Sequence, residues 1–316
     1  MRRSVLFVVA LMLLACSPEP PQPDGRSEVA IPREDGTTQP AYVITPQNYD
    51  PQRGPYPLLV SLHTWSNDYE QRHPELESLA QQRGWIYLFP DFRGRNDKPE
   101  ACGSELAQKD ILDAVAWARR TYPLDERRIY LTGVSGGGHM ALLMAGLYPD
   151  VWTAVSAWVP ISDLAAWHQT HAEAEYGEMM RTSMGGAPGS SPAVDEEYRK
   201  RSPLTWLEAA RDLPVEIAAG VRDGHEGSVP VRHTLDAFNV IARAAGGELV
   251  SEQEIEQLSA GPEARLAAPK PSDQVEDIAL GRAIYLRRTA GRSRVTIFEG
   301  GHEAIATAQI DWIERF

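Results

Sequence analysis

The stretch that decides the fold is Arg128-Ile129-Tyr130-Leu131-Thr132-Gly133-Val134-Ser135-Gly136-Gly137-Gly138-His139-Met140-Ala141-Leu142-Leu143. It opens as a short apolar run rich in β-formers, passes through glycines, and continues as an apolar helix from Met140 to Leu147. Between strand and helix stands Gly133-Val134-Ser135-Gly136-Gly137, the G-x-S-x-G pattern in the setting it requires. Glycines two positions either side of Ser135 let strand and helix approach without a Cβ clash. The tight turn lifts the Ser135 hydroxyl off the sheet, and the helix N-terminus aims backbone N–H groups at developing negative charge. Gly136-x-Gly138-x-x-Ala141 also matches a dinucleotide fingerprint. That motif needs an acidic residue at the end of the next strand, and here that strand ends in Val159-Pro160.

Outward from this turn, apolar runs alternate with helical stretches. Strands are expected at Tyr42–Ile44, Pro57–Leu62, Trp85–Phe89, Ala154–Val159, Val215–Ala219 and Val295–Phe298, and helices at Leu106–Arg120, Asp236–Ala245 and Ala304–Phe316. Such alternation predicts a mostly parallel sheet covered on both faces, because short, wholly apolar strands must be buried on both sides. Two stretches break it. Ser162–Leu213 is long and helix-leaning and reads as a partial helical cap, while Gly246–Arg292 reads as a polar surface excursion.

A serine hydroxyl needs a base to act as a nucleophile at neutral pH. Phe298-Glu299-Gly300-Gly301-His302-Glu303 sets His302 just after the last strand, and Val215–Val221 runs into Arg222-Asp223-Gly224. Ser135, Asp223 and His302 thus stand in the chain order that hydrolases with this turn use. Asp223 would hold the imidazole's tautomer and stabilise the imidazolium, with Asp163 the competing acid. Gly136 would give one oxyanion N–H, and Thr64 or Trp65, after the first buried strand, the other. His63, His225 and His233 read as structural, as do Asp91 and Asp110. Trp65, Trp158, Trp167 and Trp206 read as packing rather than as a substrate groove. Trp167-His168-x-x-His171 reads as the polar face of a cap helix, and neither a metal nor a cofactor is expected.

Among the 316 residues, 42% are hydrophobic and 24% charged, enough apolar side chains for one large core. The net charge is -13 and no basic stripe occurs, which argues against nucleic acid as a partner. Arg2-Arg3 precede an apolar run from Val5 to Leu14, too short for a bilayer (about 20 residues) but suited to an export signal. Leu13-Leu14-Ala15-Cys16 resembles the lipobox of bacterial lipoproteins, which implies a signal peptide over 1–15 and a lipid anchor on Cys16. A plain signal peptide cut further on is the alternative. Pro-rich residues 16–27 would be a tether, leaving 28–316 as the catalytic domain at the cell envelope. Cys102 is then left without a disulfide partner.

From about Tyr56 onward the chain resembles the α/β-hydrolase superfamily, and within it the catalytic domain of the prolyl oligopeptidase (S9) family and its esterase relatives. The resemblance rests on Pro90-Asp91-Phe92-Arg93-Gly94, the helix around Asp110–Val115, the Ser135 turn, Arg201-Ser202-Pro203-Leu204 and Val229-Pro230-Val231. It implies an α/β-hydrolase fold and a serine hydrolase acting on a small ester or peptide. The chain departs from the family where Gly224-His225-Glu226-Gly227-Ser228 separates Asp223 from Val229-Pro230, and where the oxyanion loop lacks the esterases' His-Gly. No segment suited to the family's propeller precedes the core. Ester cleavage is therefore the first expectation, peptide cleavage the second, and a non-catalytic envelope-binding lipoprotein the third.

Overall fold

A computed structural model describes residues 25–316. The expected signal peptide and Cys16, with most of the tether, lie outside them. The first strand already begins at Arg26, inside the last residues assigned to the tether.

In chain order the elements are β1 (Arg26–Pro32), β2 (Thr38–Ile44), β3 (Tyr56–Leu62), α1 (Pro74–Gln82), β4 (Ile86–Pro90), α2 (Glu105–Thr121), β5 (Leu124–Val134) and α3 (Gly136–Leu147). There follow β6 (Ala154–Trp158), α4 (Leu164–His171), α5 (Glu175–Met184), α6 (Pro192–Arg201), β7 (Val215–Gly220), α7 (Arg232–Ala244), α8 (Glu252–Ser259), β8 (Ile284–Ala290), β9 (Ser293–Phe298) and α9 (Ala306–Ile313). The described strands form one sheet in the order β1-β2-β4-β3-β5-β6-β7-β9-β8. Pairing is parallel from β4 through β3, β5, β6 and β7 to β9, and antiparallel where β1, β2 and β8 join.

Neighbouring strand residues point to opposite faces, and both faces are covered. Leu58, Val60, Ile129 and Leu131 pack under α2, α3 and α7, whereas Leu59, Tyr87 and Tyr130 pack under α1 and α9. That two-sided burial is why the central strands read as unbroken apolar runs. The mostly parallel, helix-covered sheet that the sequence led us to expect is the architecture found.

Two expectations need correcting. The stretch 246–292 is not a bare excursion, since it contains α8 and an edge strand, β8, antiparallel to β9. In β8, Ile284, Leu286, Arg288 and Ala290 face inward, and the buried Arg288 hid the alternation. Arg288 is paired with Asp273 and, at 2.6 Å, with Glu254. The second correction concerns α4: Trp167 and His168 are buried, not polar surface. With α5 and α6 they pack against Trp65 in a separate apolar cluster that includes Ile161, Met180 and Tyr198. No helix among the described residues is long and apolar enough to cross a membrane.

Candidate active site

Ser135 sits between β5 and α3 with φ +58 and ψ -117, a conformation L-residues rarely adopt. A hydrogen bond from Ser135 N–H to the Trp158 carbonyl (2.9 Å) ties the strained turn to the neighbouring strand β6. Sequence explains the closeness. A Cβ on Gly133 would lie 2.1 Å from the Gly137 carbonyl oxygen, so strand and helix could not meet at this angle with a larger residue. α3 starts four residues before the expected Met140, because the glycines that hide it from propensity are the ones the turn demands.

Asp223 follows β7 and His302 follows β9, two strands on the same edge of the sheet as Ser135. His302 Nδ1 lies 2.8 Å from Asp223 Oδ2. Asp223 Oδ1 accepts the backbone N–H groups of Gly224 and Val229, each at 3.0 Å. The carboxylate is buried, and these two N–H groups and the His302 imidazole surround it. The Asp223–Val229 loop closes so tightly that a Cβ on Gly227 would meet Asp223 Oδ1 at 2.3 Å and His302 Cβ at 2.7 Å. The His302 side chain is 26% exposed and reachable by a substrate. Among the described residues no hydrogen bond joins Ser135 Oγ to His302, a contact that often tightens only when substrate binds.

Asp163, the competing acid, is the N-cap of α4, its Oδ1 accepting from Ala165 and Ala166 N–H at 2.9 and 3.0 Å. His63 is buried between the Thr64 and Asp91 carbonyls (2.9 Å each) and stacks on Phe92; burial lowers its pKa. His233 is buried against Ser162, and His225 is exposed. Asp110 pairs with Arg33 and Arg93, and His63 uses the Asp91 carbonyl, so both acids belong to the frame.

Thr64 and Trp65, the two oxyanion candidates after β3, differ in their partners. Thr64 N–H is occupied by Gln71 Oε1 at 2.8 Å. Trp65 N–H has no hydrogen bond among the described residues, and its nitrogen lies against the turn, 2.4 Å from where a Cβ on Gly136 would stand. The Trp65 backbone is thus packed against Gly136, the residue after the serine. Trp65, Trp158 and Trp167 are wholly buried, and Trp206 only in part.

Beside the His302 loop lies a groove of about 910 Å3 lined by Arg222, Val275, Ile278, Arg282, Glu299 and Glu303 among others. Val275 and Ile278 are two of the three large apolar side chains exposed among the described residues. No cluster of His, Cys, Asp or Glu able to hold a metal occurs among those residues.

The sheet order and the strand–Ser135–helix turn define an α/β-hydrolase fold. Residues 74–250, more than half of the chain, match the family model of the prolyl oligopeptidase family (peptidase S9), and the chain belongs to that family. The matched span takes in Ser135 and Asp223 and ends before His302. Among curated proteins, the chain is 28% identical over 128 residues to an acetylxylan esterase of Coprinopsis cinerea, covering 37% of this chain and 33% of that protein. It is 23% identical over 195 residues to feruloyl esterase B of Talaromyces stipitatus, covering 59% and 47% respectively. In fold it is similar to the acylaminoacyl peptidase of Pyrococcus horikoshii, with a TM-score of 0.56 and 19% identity over 71% of this chain and 36% of that one. The chain spans about a third of the length of that acetylxylan esterase and of that peptidase.

Proposed function

We propose that this protein is a serine esterase that cleaves acyl groups from a carbohydrate or similar bulky alcohol. The observation that carries the reading is the strained Ser135 turn on the same sheet edge as the 2.8 Å Asp223–His302 pair. His302 Nε2 takes the Ser135 proton as Oγ attacks the ester carbonyl. The oxyanion that forms accepts the Gly136 and Trp65 N–H groups, and Asp223 stabilises the imidazolium. Collapse breaks the C–O bond, and His302 hands its proton to the departing alcohol. Water, deprotonated by His302, then attacks the acyl-enzyme; the acid leaves and Ser135 regains its proton.

The base must reach the leaving oxygen, so the alcohol lies on the His302 side, where the groove is. Its carboxylates and guanidinium groups suit hydroxyls, and Val275 and Ile278 suit the C–H face of a sugar. Similarity to acetylxylan and feruloyl esterases supports the same substrate class. Family membership supports a second reading, cleavage of small peptides.

Labelling of residues 25–316 with a fluorophosphonate probe tests the proposal. Loss of label in Ser135→Ala is expected, with p-nitrophenyl acetate and acetylated oligosaccharides competing better than aminoacyl anilides. Better competition by anilides would favour the peptidase, and absence of label on folded protein would refute the catalytic reading. We further propose that Cys16 carries a lipid anchor at the cell envelope. Cys16→Ser should then release the protein from the membrane fraction.

A further inference from the structure

The five residues Gly224–Ser228 that stretch the acid motif find a partner in the cap. On one face of α4, Trp167 and His171 stand four residues apart. Trp167 Nε1 donates to the Ser228 carbonyl at 2.8 Å, and His171 Nε2 meets the same oxygen at 2.7 Å. A carbonyl oxygen has two lone pairs, and these two contacts use both. The next N–H along the chain, that of Val229, donates to Asp223 Oδ1 at 3.0 Å. Ser228 C=O and Val229 N–H belong to one planar peptide unit, so fixing the carbonyl fixes where the N–H points. The line of contacts therefore runs from α4 through a single rigid plane to Asp223, and from Asp223 to His302.

Trp167 also reaches the other half of the site. Its indole is wholly buried and meets the Trp65 ring edge-on, with centroids 4.7 Å apart. Trp65 is the residue whose backbone nitrogen lies against Gly136. Asp163 holds the start of α4 through its two capping bonds, so the helix presenting Trp167 and His171 is itself fixed.

We propose that Trp167 and His171 are positioning residues for the acid: they orient Asp223 through the Ser228–Val229 peptide, making cap and charge pair one unit. The proposal rests on the reading of Asp223 and His302 as acid and base. Neither side chain need touch substrate, so the cap acts on turnover rather than on binding.

The test measures kcat and KM for p-nitrophenyl acetate in Trp167→Phe, His171→Phe and His171→Gln, each also in an Asp223→Asn background. Phenylalanine keeps the ring and removes the donor, while glutamine keeps an N–H that can reach Ser228. Loss of one neutral hydrogen bond predicts a fall in kcat of about fivefold for Trp167→Phe and His171→Phe, with KM within about twofold. His171→Gln should recover most of the loss. In the Asp223→Asn background the same replacements should change kcat by less than about twofold, because the group they orient no longer stabilises the imidazolium. His171 is only partly buried, so its pair of variants carries the test if Trp167→Phe does not fold. A loss that persists undiminished beside Asp223→Asn, or one confined to KM, would overturn the proposal alone. Full activity of Asp223→Asn would overturn the acid assignment, and the proposal with it.

Discussion

At the Ser135 turn, steric exclusion and chemistry coincide in the same few atoms. Gly136 has Trp65 backbone so close that a methyl group there would have to push the loop after β3 aside. That loop carries the second proposed oxyanion donor. Gly136→Ala is therefore expected to lower kcat by about 10²-fold with KM little changed, since one such donor contributes about 10²–10³ elsewhere, and to lower the melting temperature because the clash is with backbone. Steady-state kinetics beside a thermal melt will check this; an active variant would move the oxyanion site away from Trp65. The acid has an equally local test. Asp223→Asn removes the charge facing the imidazole and should cost on the order of 10³–10⁴ in kcat. Asp163→Asn keeps an N-cap side chain on α4 and should cost only a few-fold. The reverse order would assign the acid to Asp163.

The elements differ in how openly the sequence declares them, and the difference is physical. β3, β5, β6 and β7 are buried on both faces and read as apolar runs. β1 is an edge strand with most of its residues exposed or half-exposed, and β8 carries a buried arginine, so neither shows that pattern. α1 is equally faint in the sequence, being nine residues long and lacking a side-chain N-cap. Ser135, Asp223 and His302 could be named because each follows a legible strand. Trp167 and His171 could not, because their part depends on a carbonyl 61 and 57 residues away. The buried arginine that masked β8 now supplies a test. Arg288 is held by Asp273 and Glu254, and Asp273 is wholly buried. Arg288→Met removes that carboxylate's counter-charge, leaving it only the Lys270 and Arg287 N–H groups, and should destabilise the fold by roughly 3–5 kcal/mol in urea denaturation. Adding Asp273→Asn should restore part of the loss; an undiminished loss would mean that packing of the arginine stem, not its charge, dominates.

Across the whole molecule, two buried imidazoles pin the cap segment to the core near its two ends. His233 of α7 accepts the Ser162 N–H at Nδ1 (3.2 Å), where the segment begins. His139 of α3 donates from Nε2 to the Arg201 carbonyl (2.7 Å), where α6 ends. Burial pulls both pKa values from 6.5 down to about 4. In the unfolded chain each imidazole gains its proton near pH 6.5, whereas in the folded protein it does so only near pH 4. Between those values the unfolded state binds more protons, so stability is complete above pH 6.5 and falls as pH drops toward 4. Each histidine is worth roughly 3 kcal/mol over that window. Protonated His233 would also turn an acceptor into a donor facing the Ser162 N–H, and protonated His139 would set a second cation near Arg201. Hydrogen bonds from Thr37 hold the Asp35 carboxylate at about 2, below that window, whereas burial raises Asp91, Asp110 and Asp236. Denaturation free energies measured from pH 7 to 4 should therefore slope by up to about 1.4 kcal/mol per pH unit for each histidine. His139→Gln, which keeps a donor for Arg201, should remove one such proton from the slope. Amide exchange should show α4–α6 opening before the sheet as pH falls. An unchanged slope in His139→Gln, or a sheet that opens together with the cap, would show that these histidines do not hold the cap in place.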